Sequence, residues 1–305
     1  MPERRFPELA ALLHETMTYS IIIPHKNSLG WLQRCLDSIP QRDDIQVIVV
    51  DDNSGIPGPD WARFREKNPR AALFLTKDGG GAGYARNVGL GKATGKWIVF
   101  SDADDFFNEG AFDVLDRYAD KDNDVFYFPC DSRDGASLEL TEDRRPSLRR
   151  NIRNGNLDEL RYRSLVPWGK MIRKELIDRE NLRFEEVEVS NDVMFSIRLG
   201  AAARNPGVIP SDPLYCCTRN EGSLVFKKTL RRMITRIRVA KRANDFLHDR
   251  GLDRYRLFPE HFVGYFFPRH PVLLLWGLWM LRYRGDPVGY MKDVFKLVLG
   301  KLHLR

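Results

Sequence analysis

Asp102, Asp104 and Asp105 follow directly on the apolar run Trp97-Ile98-Val99-Phe100. Such a run reads as a buried strand, so the three acids stand where it would emerge into a loop. Hard oxygen donors grouped there suit Mg²⁺ or Mn²⁺, and a cation held by few protein groups keeps coordination positions for a substrate's phosphates. The plain alternative is an acidic loop that caps the next helix, the usual reading of an isolated D-x-D. Asp51 and Asp52 end a second apolar run over residues 45–50. A further acid, Asp192, lies in Ser190-Asn191-Asp192 ahead of Val193, Phe195 and Ile197. A carboxylate within reach of a hydroxyl can act as a general base; at the start of a helix it can equally be a favourable N-terminal charge. Gly79-Gly80-Gly81-Ala82-Gly83 reads as a flexible loop feeding a helix over residues 84–90, whose backbone N–H groups could hold a phosphate or serve no function beyond connection.

The elements that would carry these groups alternate. A β-branched run over residues 19–23 is closed by Pro24, and helical spacing at Leu32, Leu36 and Ile39 is stopped by Pro40. The strand over 45–50, a helix around 61–67, a strand over 71–75 and the strand 97–100 follow. This pattern predicts an α/β fold with a mostly parallel sheet flanked by helices, and ligands beyond the carboxyl ends of the strands.

The chain has 305 residues and 35.4 kDa, 43% of it hydrophobic, enough for one substantial domain with an appendage. Cys35, Cys130, Cys216 and Cys217 are too few and too unevenly spaced for a disulfide framework or a zinc site. No stretch near the start has the plan of a signal peptide, and a reducing cytoplasm is expected. The net charge of +7 is uneven: residues 226–305 hold 18 Lys and Arg against 6 Asp and Glu, and residues 1–225 hold 31 against 36. An acidic body therefore carries a cationic tail, through which any anionic surface would be met.

Taken in order, Ile23-Pro24-His25-Lys26-Asn27, Val49-Val50-Asp51-Asp52-Asn53-Ser54, Gly81-Ala82-Gly83-Tyr84-Ala85-Arg86-Asn87-Val88-Gly89 and Ser101-Asp102-Ala103-Asp104-Asp105 resemble the successive motifs of the family 2 inverting glycosyltransferases of GT-A fold. Pro167-Trp168-Gly169-Lys170, Phe184 and Ser190-Asn191-Asp192 resemble that family's acceptor-side region and acidic catalytic motif. The resemblance covers about residues 18–225. It implies a GT-A, Rossmann-like mixed sheet and a metal-dependent, single-displacement transfer of a hexose or N-acetylhexosamine from a UDP-sugar to a glycan or glycolipid acceptor. Asp104 would be the direct ligand of Mn²⁺ or Mg²⁺, Asp102 would bind the ribose or help hold the metal, and Asp105 would support both. Asp52 would accept a hydrogen bond from uracil, Pro24 and Asn27 would lie beside the base, and Arg86 would contact the nucleotide or its phosphates. Asp192 would be the base, and Trp168 could offer an aromatic face to a sugar or, following Pro167, pack in the core. Lys26 stands where many members have Tyr, Gly79 where Asn is common, and Asn191 where Glu often precedes the catalytic Asp. Glu185, Glu186 and Glu188 are alternative acids, or a solvated face. A nucleotidyltransferase would use a similar carboxylate centre and release pyrophosphate; a membrane-docked binding protein would keep the site without turnover.

Three segments are expected: a leader (1–17), a catalytic domain (18–225) and a basic, partly apolar helical extension (226–305). In the extension, Leu230, Met233, Ile234, Ile237 and Ala240 lie among six Lys or Arg between positions 231 and 242, the pattern of a basic amphipathic helix. Residues 271–281 are almost unbroken apolar, flanked by Arg269, His270, Arg282 and Arg284. Such a stretch is too short to span a bilayer, which takes about 20 residues. It suits a helix in a membrane interface, or one packed on the catalytic domain. No nucleic-acid-binding motif accompanies the basic charge. The polar, Arg-rich segment 131–156 is a candidate mobile lid.

Overall fold

The computed structural model describes residues 17–141, 146–220, 229–258, 265–266, 269–282 and 288–292. The expected leader up to residue 16, the boundary at 225–226 and Arg284 lie outside the described residues. The strands are β1 (Tyr19–His25), β2 (Ile45–Asp51), β3 (Ala71–Leu75), β4 (Trp97–Phe100), β5 (Phe106–Phe107), β6 (Val125–Tyr127), β7 (Cys130–Asp134), β8 (Lys170–Arg173), β9 (Pro206–Val208) and β10 (Tyr215–Arg219). The helices are α1 (Leu29–Asp37), α2 (Gly58–Lys67), α3 (Gly81–Leu90), α4 (Ala111–Ala119), α5 (Pro146–Arg153), α6 (Leu157–Arg163), α7 (Lys174–Arg179), α8 (Val193–Ala202), α9 (Leu230–His248) and α10 (Pro271–Met280).

A seven-stranded sheet runs in the order β3-β2-β1-β4-β8-β6-β9. β3, β2, β1 and β4 are parallel neighbours, β8 is antiparallel to both β4 and β6, and β9 is parallel to β6. The sheet is thus mixed and mostly parallel, as expected. β1 is buried along its whole length because strands and helices cover it on every side, which is why its apolar residues run on without polar alternation. Chain order reverses at β1, with β2 on one side and β4 on the other, so the carboxyl ends of these three strands open at a topological switch point. His25, Asp51 and the acids after Phe100 are all delivered to that edge. α3 lies close on β1 because residue 89 is glycine: a Cβ there would stand 2.4 Å from Ile22 Cγ2.

A second, three-stranded sheet, β5-β10-β7, adjoins the acidic loop. β5 begins one residue after Asp105, and β10 pairs antiparallel with it and parallel with β7. Of the candidate lid, residues 142–145 lie outside the described residues; among the described ones, 130–134 are β7, an isolated bridge joins Arg133 to Leu140, and α5 buries Leu148 and Ile152. Apolar anchors at those positions, spaced four apart on the helix, hold the segment to the body.

α9 joins the catalytic body to the extension. Ala243 and Leu247 pack with Tyr162 and Ile197 of α6 and α8, and Met233, Ile237 and Ala240 pack with Phe266 and Leu281.

Candidate active site

β1 and β2 end in register, His25 opposite Asp51. His25 Nδ1 lies 2.8 Å from Asp51 Oδ1, and the Ser28 backbone N–H donates to His25 Nε2 at 3.0 Å. With Nε2 accepting, Nδ1 carries the proton and donates to Asp51, so the imidazole is neutral and pins the first loop. Asn27 adopts φ +60° and uses its side chain on the neighbouring loop, Oδ1 accepting from Gly55 N at 3.0 Å. Asp52 is buried; Oδ1 accepts from Gly81 N at 2.9 Å and Oδ2 from Lys26 Nζ at 3.1 Å. Asp52 therefore stands at the N-terminus of α3, where the helix dipole favours its charge.

The glycine cluster does not stay a loop. From Gly81 onward it is the first turn of α3, and Gly83 permits contact with residues 184–192: a Cβ there would lie 2.3 Å from Glu185 O and 3.0 Å from Asn191 Cβ. Asn87 clamps the same segment, accepting from Phe184 N at 2.9 Å and donating to Phe184 O at 3.0 Å. Arg86 is buried with its guanidinium 5.3 Å from the centre of the Phe184 ring. It donates to Asp102 Oδ1 at 2.6 Å and to Asn191 Oδ1 at 2.9 Å, while its Nε has no hydrogen-bond partner among the described residues. One guanidinium thus connects the acidic loop after β4 with the residue before Asp192. Asp192 is the N-cap of α8, preceded by Ser190 at φ +60°.

The three acids of the loop are not equivalent. Asp102 and Asp104 are half-buried; Asp105 is 2% exposed. Asp105 accepts from Tyr215 Oη at 2.8 Å and from Thr218 N at 2.7 Å. Burial, reinforced by the charges of Asp104 and Asp102, raises its carboxyl well above the ordinary carboxylate range. Tyr215 Oη also accepts from Asp102 N at 2.9 Å, and burial lifts the phenol far above its usual value. Asn220 Nδ2 donates to Asp104 Oδ2 at 2.9 Å, Thr218 Oγ1 to Asp104 O at 2.6 Å, and Arg34 to Asp104 O at 2.7 Å. Beneath the loop, burial pushes the Cys35 thiol up to about 12, despite a contact of 3.3 Å with Ser101 Oγ.

Asp105 therefore anchors the loop, and Asp102 and Asp104 are its less buried carboxylates, one oxygen of each bonded to Arg86 and to Asn220 respectively. No cluster of three or more His, Cys, Asp or Glu that could hold a metal occurs among the described residues. Two hard oxygen groups fit a cation that completes its shell with phosphate oxygens and water. Trp168 does not present an open ring: it is 5% exposed and stacks on Tyr215 with ring centres 6.0 Å apart, so the expected sugar platform is core packing. The neighbouring Lys170 is buried too, and its ammonium donates to the carbonyls of Ser164 and Val166.

Sequence reasoning missed Tyr215, Thr218, Asn220 and Arg34. β10 reads Tyr-Cys-Cys-Thr-Arg, and nothing in that string points at a loop 110 residues earlier. It also left open the acids Glu185 and Glu188, which pair with Arg242 and Arg232 of α9.

Comparison with known proteins bears on the fold and the family. A poly(ribitol-phosphate) β-N-acetylglucosaminyltransferase of Staphylococcus aureus, TarS, is 25% identical over 213 residues, 68% of this chain and 36% of TarS. The crystal structure of its residues 1–349 in complex with UDP-GlcNAc superposes with a TM-score of 0.63 at 20% identity, covering 84% of this chain and 74% of that one. The fold is accordingly the GT-A glycosyltransferase fold. An uncharacterized glycosyltransferase of Bacillus subtilis, EpsJ, is 27% identical over 218 residues, 67% of this chain and 62% of EpsJ. The chain thus spans less than two thirds of the length of these relatives. The model of the family described as glycosyl transferase family 2 matches residues 20–180, more than half of the chain, and the chain belongs to that family.

Proposed function

We propose that the protein is a metal-dependent inverting glycosyltransferase that moves a hexose or N-acetylhexosamine from a UDP-sugar to a hydroxyl of a cell-surface glycan acceptor. The observation that carries this reading is the Arg86 bridge, which ties Asp102 of the donor-side loop to Asn191 beside Asp192. Asp192 takes the proton of the acceptor hydroxyl as its oxygen bonds to the sugar carbon, and the carbon–oxygen bond to the diphosphate breaks with its electron pair leaving on UDP. Attack opposite the leaving group inverts the configuration. Asp52 accepts from the uracil with the lone pairs that Gly81 and Lys26 leave over, and Pro24 and Asn27 shape the loop beside the base. Asp104 and Asp102 would hold Mn²⁺ or Mg²⁺, which when bound neutralises the charge building on the diphosphate. Arg86 holds Asp102 and the base loop at a fixed separation, which serves orientation.

The extension is the contact with the membrane that carries the acceptor. No helix among the described residues is long and apolar enough to cross a membrane. On α10, Val272, Leu275 and Trp279 share one face and are 75%, 68% and 57% exposed. Arg282 lies over the Trp279 ring at 4.3 Å, and the surrounding tail is strongly basic. Exposed apolar groups, a tryptophan and cations in one place match the interface of an anionic lipid layer.

Release of UDP from a panel of UDP-sugars, with Mn²⁺, Mg²⁺ or EDTA, tests the chemistry. Release from one donor is expected to depend on metal and to fall about a hundredfold or more in Asp104→Ala and in Asp192→Asn. Turnover untouched by EDTA and by both variants would overturn the reading. Sedimentation with phosphatidylglycerol vesicles tests the extension: binding should be lost in a Leu275→Ser, Trp279→Ser double variant, and equal sedimentation of variant and wild type would rule out this face.

A further inference from the structure

We propose that Arg242 and Arg232 of α9 are positioning residues for Asp192, so that the extension belongs to the catalytic machinery; this rests on Asp192 being the base. The loop over residues 184–192 is gripped from two sides. On the inner side stand Gly83, Arg86 and Asn87 of α3. On the outer side Arg242 makes a forked contact with Glu185, Nε to Oε1 at 2.7 Å and a terminal nitrogen to Oε2 at 3.0 Å. Arg232 donates to Glu188 Oε1 through Nε at 2.8 Å and through its terminal nitrogen at 2.7 Å.

The loop needs holding. Glu185 N donates to Asn191 O at 3.2 Å, which closes it on itself, and within that closure Ser190 is kept at φ +60°. A non-glycine residue in that region persists only where its surroundings over-determine it. Glu185 is thus the hinge of the arrangement: its backbone meets Asn191 and Gly83, and its carboxylate meets α9. α9 can serve as a fixed post because Ala243 and Leu247 are buried against Ile197 of α8, the helix that Asp192 begins. Both ends of the Asp192 segment therefore refer to one helix.

Ion pairs this exposed add little to global stability, so the consequence falls on the geometry of the base. Arg forks match a carboxylate in two bonds at once, which fixes direction as well as distance; Lys cannot do this. A base displaced by a fraction of an ångström to an ångström costs rate without weakening donor binding.

The test uses the full chain and UDP release from UDP-N-acetylglucosamine with Mn²⁺. Arg242→Ala should lower kcat about tenfold while leaving donor KM within about twofold and the melting temperature unchanged. The exchanged pair Glu185→Arg, Arg242→Glu should recover most of that loss. Amide hydrogen exchange over residues 184–192 should rise in Arg242→Ala, a readout that needs no turnover. An unchanged kcat, or unchanged exchange in the loop, would overturn the proposal. Asp192→Asn in the same assay separates it from the parent reading. A silent Arg242→Ala beside an inactive Asp192→Asn removes the positioning role alone, whereas a silent Asp192→Asn removes the base and the positioning role together.

Discussion

Asp102 and Asp104 leave the end of a strand and are fixed by a second sheet, through Tyr215, Thr218 and Asn220, whereas Asp192 ends a loop fixed by side chains from two helices. The donor-side acids thus owe their position to side chains mounted on and just after a paired strand, with Arg86 in addition on the Asp102 carboxylate. The acceptor-side acid inherits its position from an arginine bridge, an asparagine clamp and two exposed ion pairs. On the proposed reading a nucleotide diphosphate is the constant part of the substrate and tolerates a rigid cradle. If Asp192 is the base as proposed, its hold on side-chain contacts lets it be re-aimed toward another acceptor by changing a few residues without disturbing the sheet.

The sharpest way to break that comparison is at Asp105. Replacing it by Ala removes the buried acceptor used by Tyr215 Oη and Thr218 N. Each buried donor left so costs about 1 to 3 kcal/mol, and a loss of about 3 kcal/mol in urea unfolding is expected. Asp105→Asn should cost about half as much, because the amide oxygen keeps the acceptor for Thr218 N while its Nδ2 cannot accept from Tyr215 Oη. If Asp105→Ala unfolds like wild type, the second sheet does not hold the acidic loop, and the two halves are not built differently.

The same contrast decides what could be read in the sequence. β1, β2 and β4 are buried parallel strands, and their apolar runs announce both the strand and the acids at its end. The places of Asp52, Asp102 and Asp104 just beyond buried strands were legible for that reason. β5 is two residues long, and β10 is strand only because β5 and β7 flank it, so the groups it sends to Asp104 and Asp105 had no local signature. The glycines before Tyr84 looked like a loop because their helix-breaking tendency is local, while the reason for Gly83 is a carbonyl 102 residues later. Trp168 stayed open between a sugar platform and core packing because the chain gives no sign of Tyr215 stacking on it. In Glu185 and Glu188 the acids were visible and their partners on α9 were not.

On the acceptor side, Gly83→Ala sharpens the contrast. Its methyl group would fall within 2.3 Å of Glu185 O, a backbone atom that cannot rotate away, so α3 or the loop must shift. A loss of about 1 to 3 kcal/mol is expected, with kcat for UDP release lowered about tenfold and donor KM little altered. An increase in KM at unchanged kcat would mean that α3 serves the donor rather than the base, and would erase the distinction from this side.

The smallest effect is expected at Lys26, the one cation the first loop is seen to set on Asp52. Its side chain is 53% exposed and pairs with a carboxylate that is nearly buried and already bonded to Gly81 N. Stability should change by less than about 0.5 kcal/mol in Lys26→Ala, since an exposed ammonium gives up little on leaving. Donor binding is the more sensitive readout, because Lys26 tempers the charge of the group assigned to the uracil. KM for the UDP-sugar should move about two- to fivefold, kcat should stay at the wild-type value, and the difference should shrink as salt screens the pair. A fall in kcat at constant KM would place Lys26 on the reacting side of the site and make the first loop part of the acceptor half, against the division that strand ends and helix side chains otherwise draw.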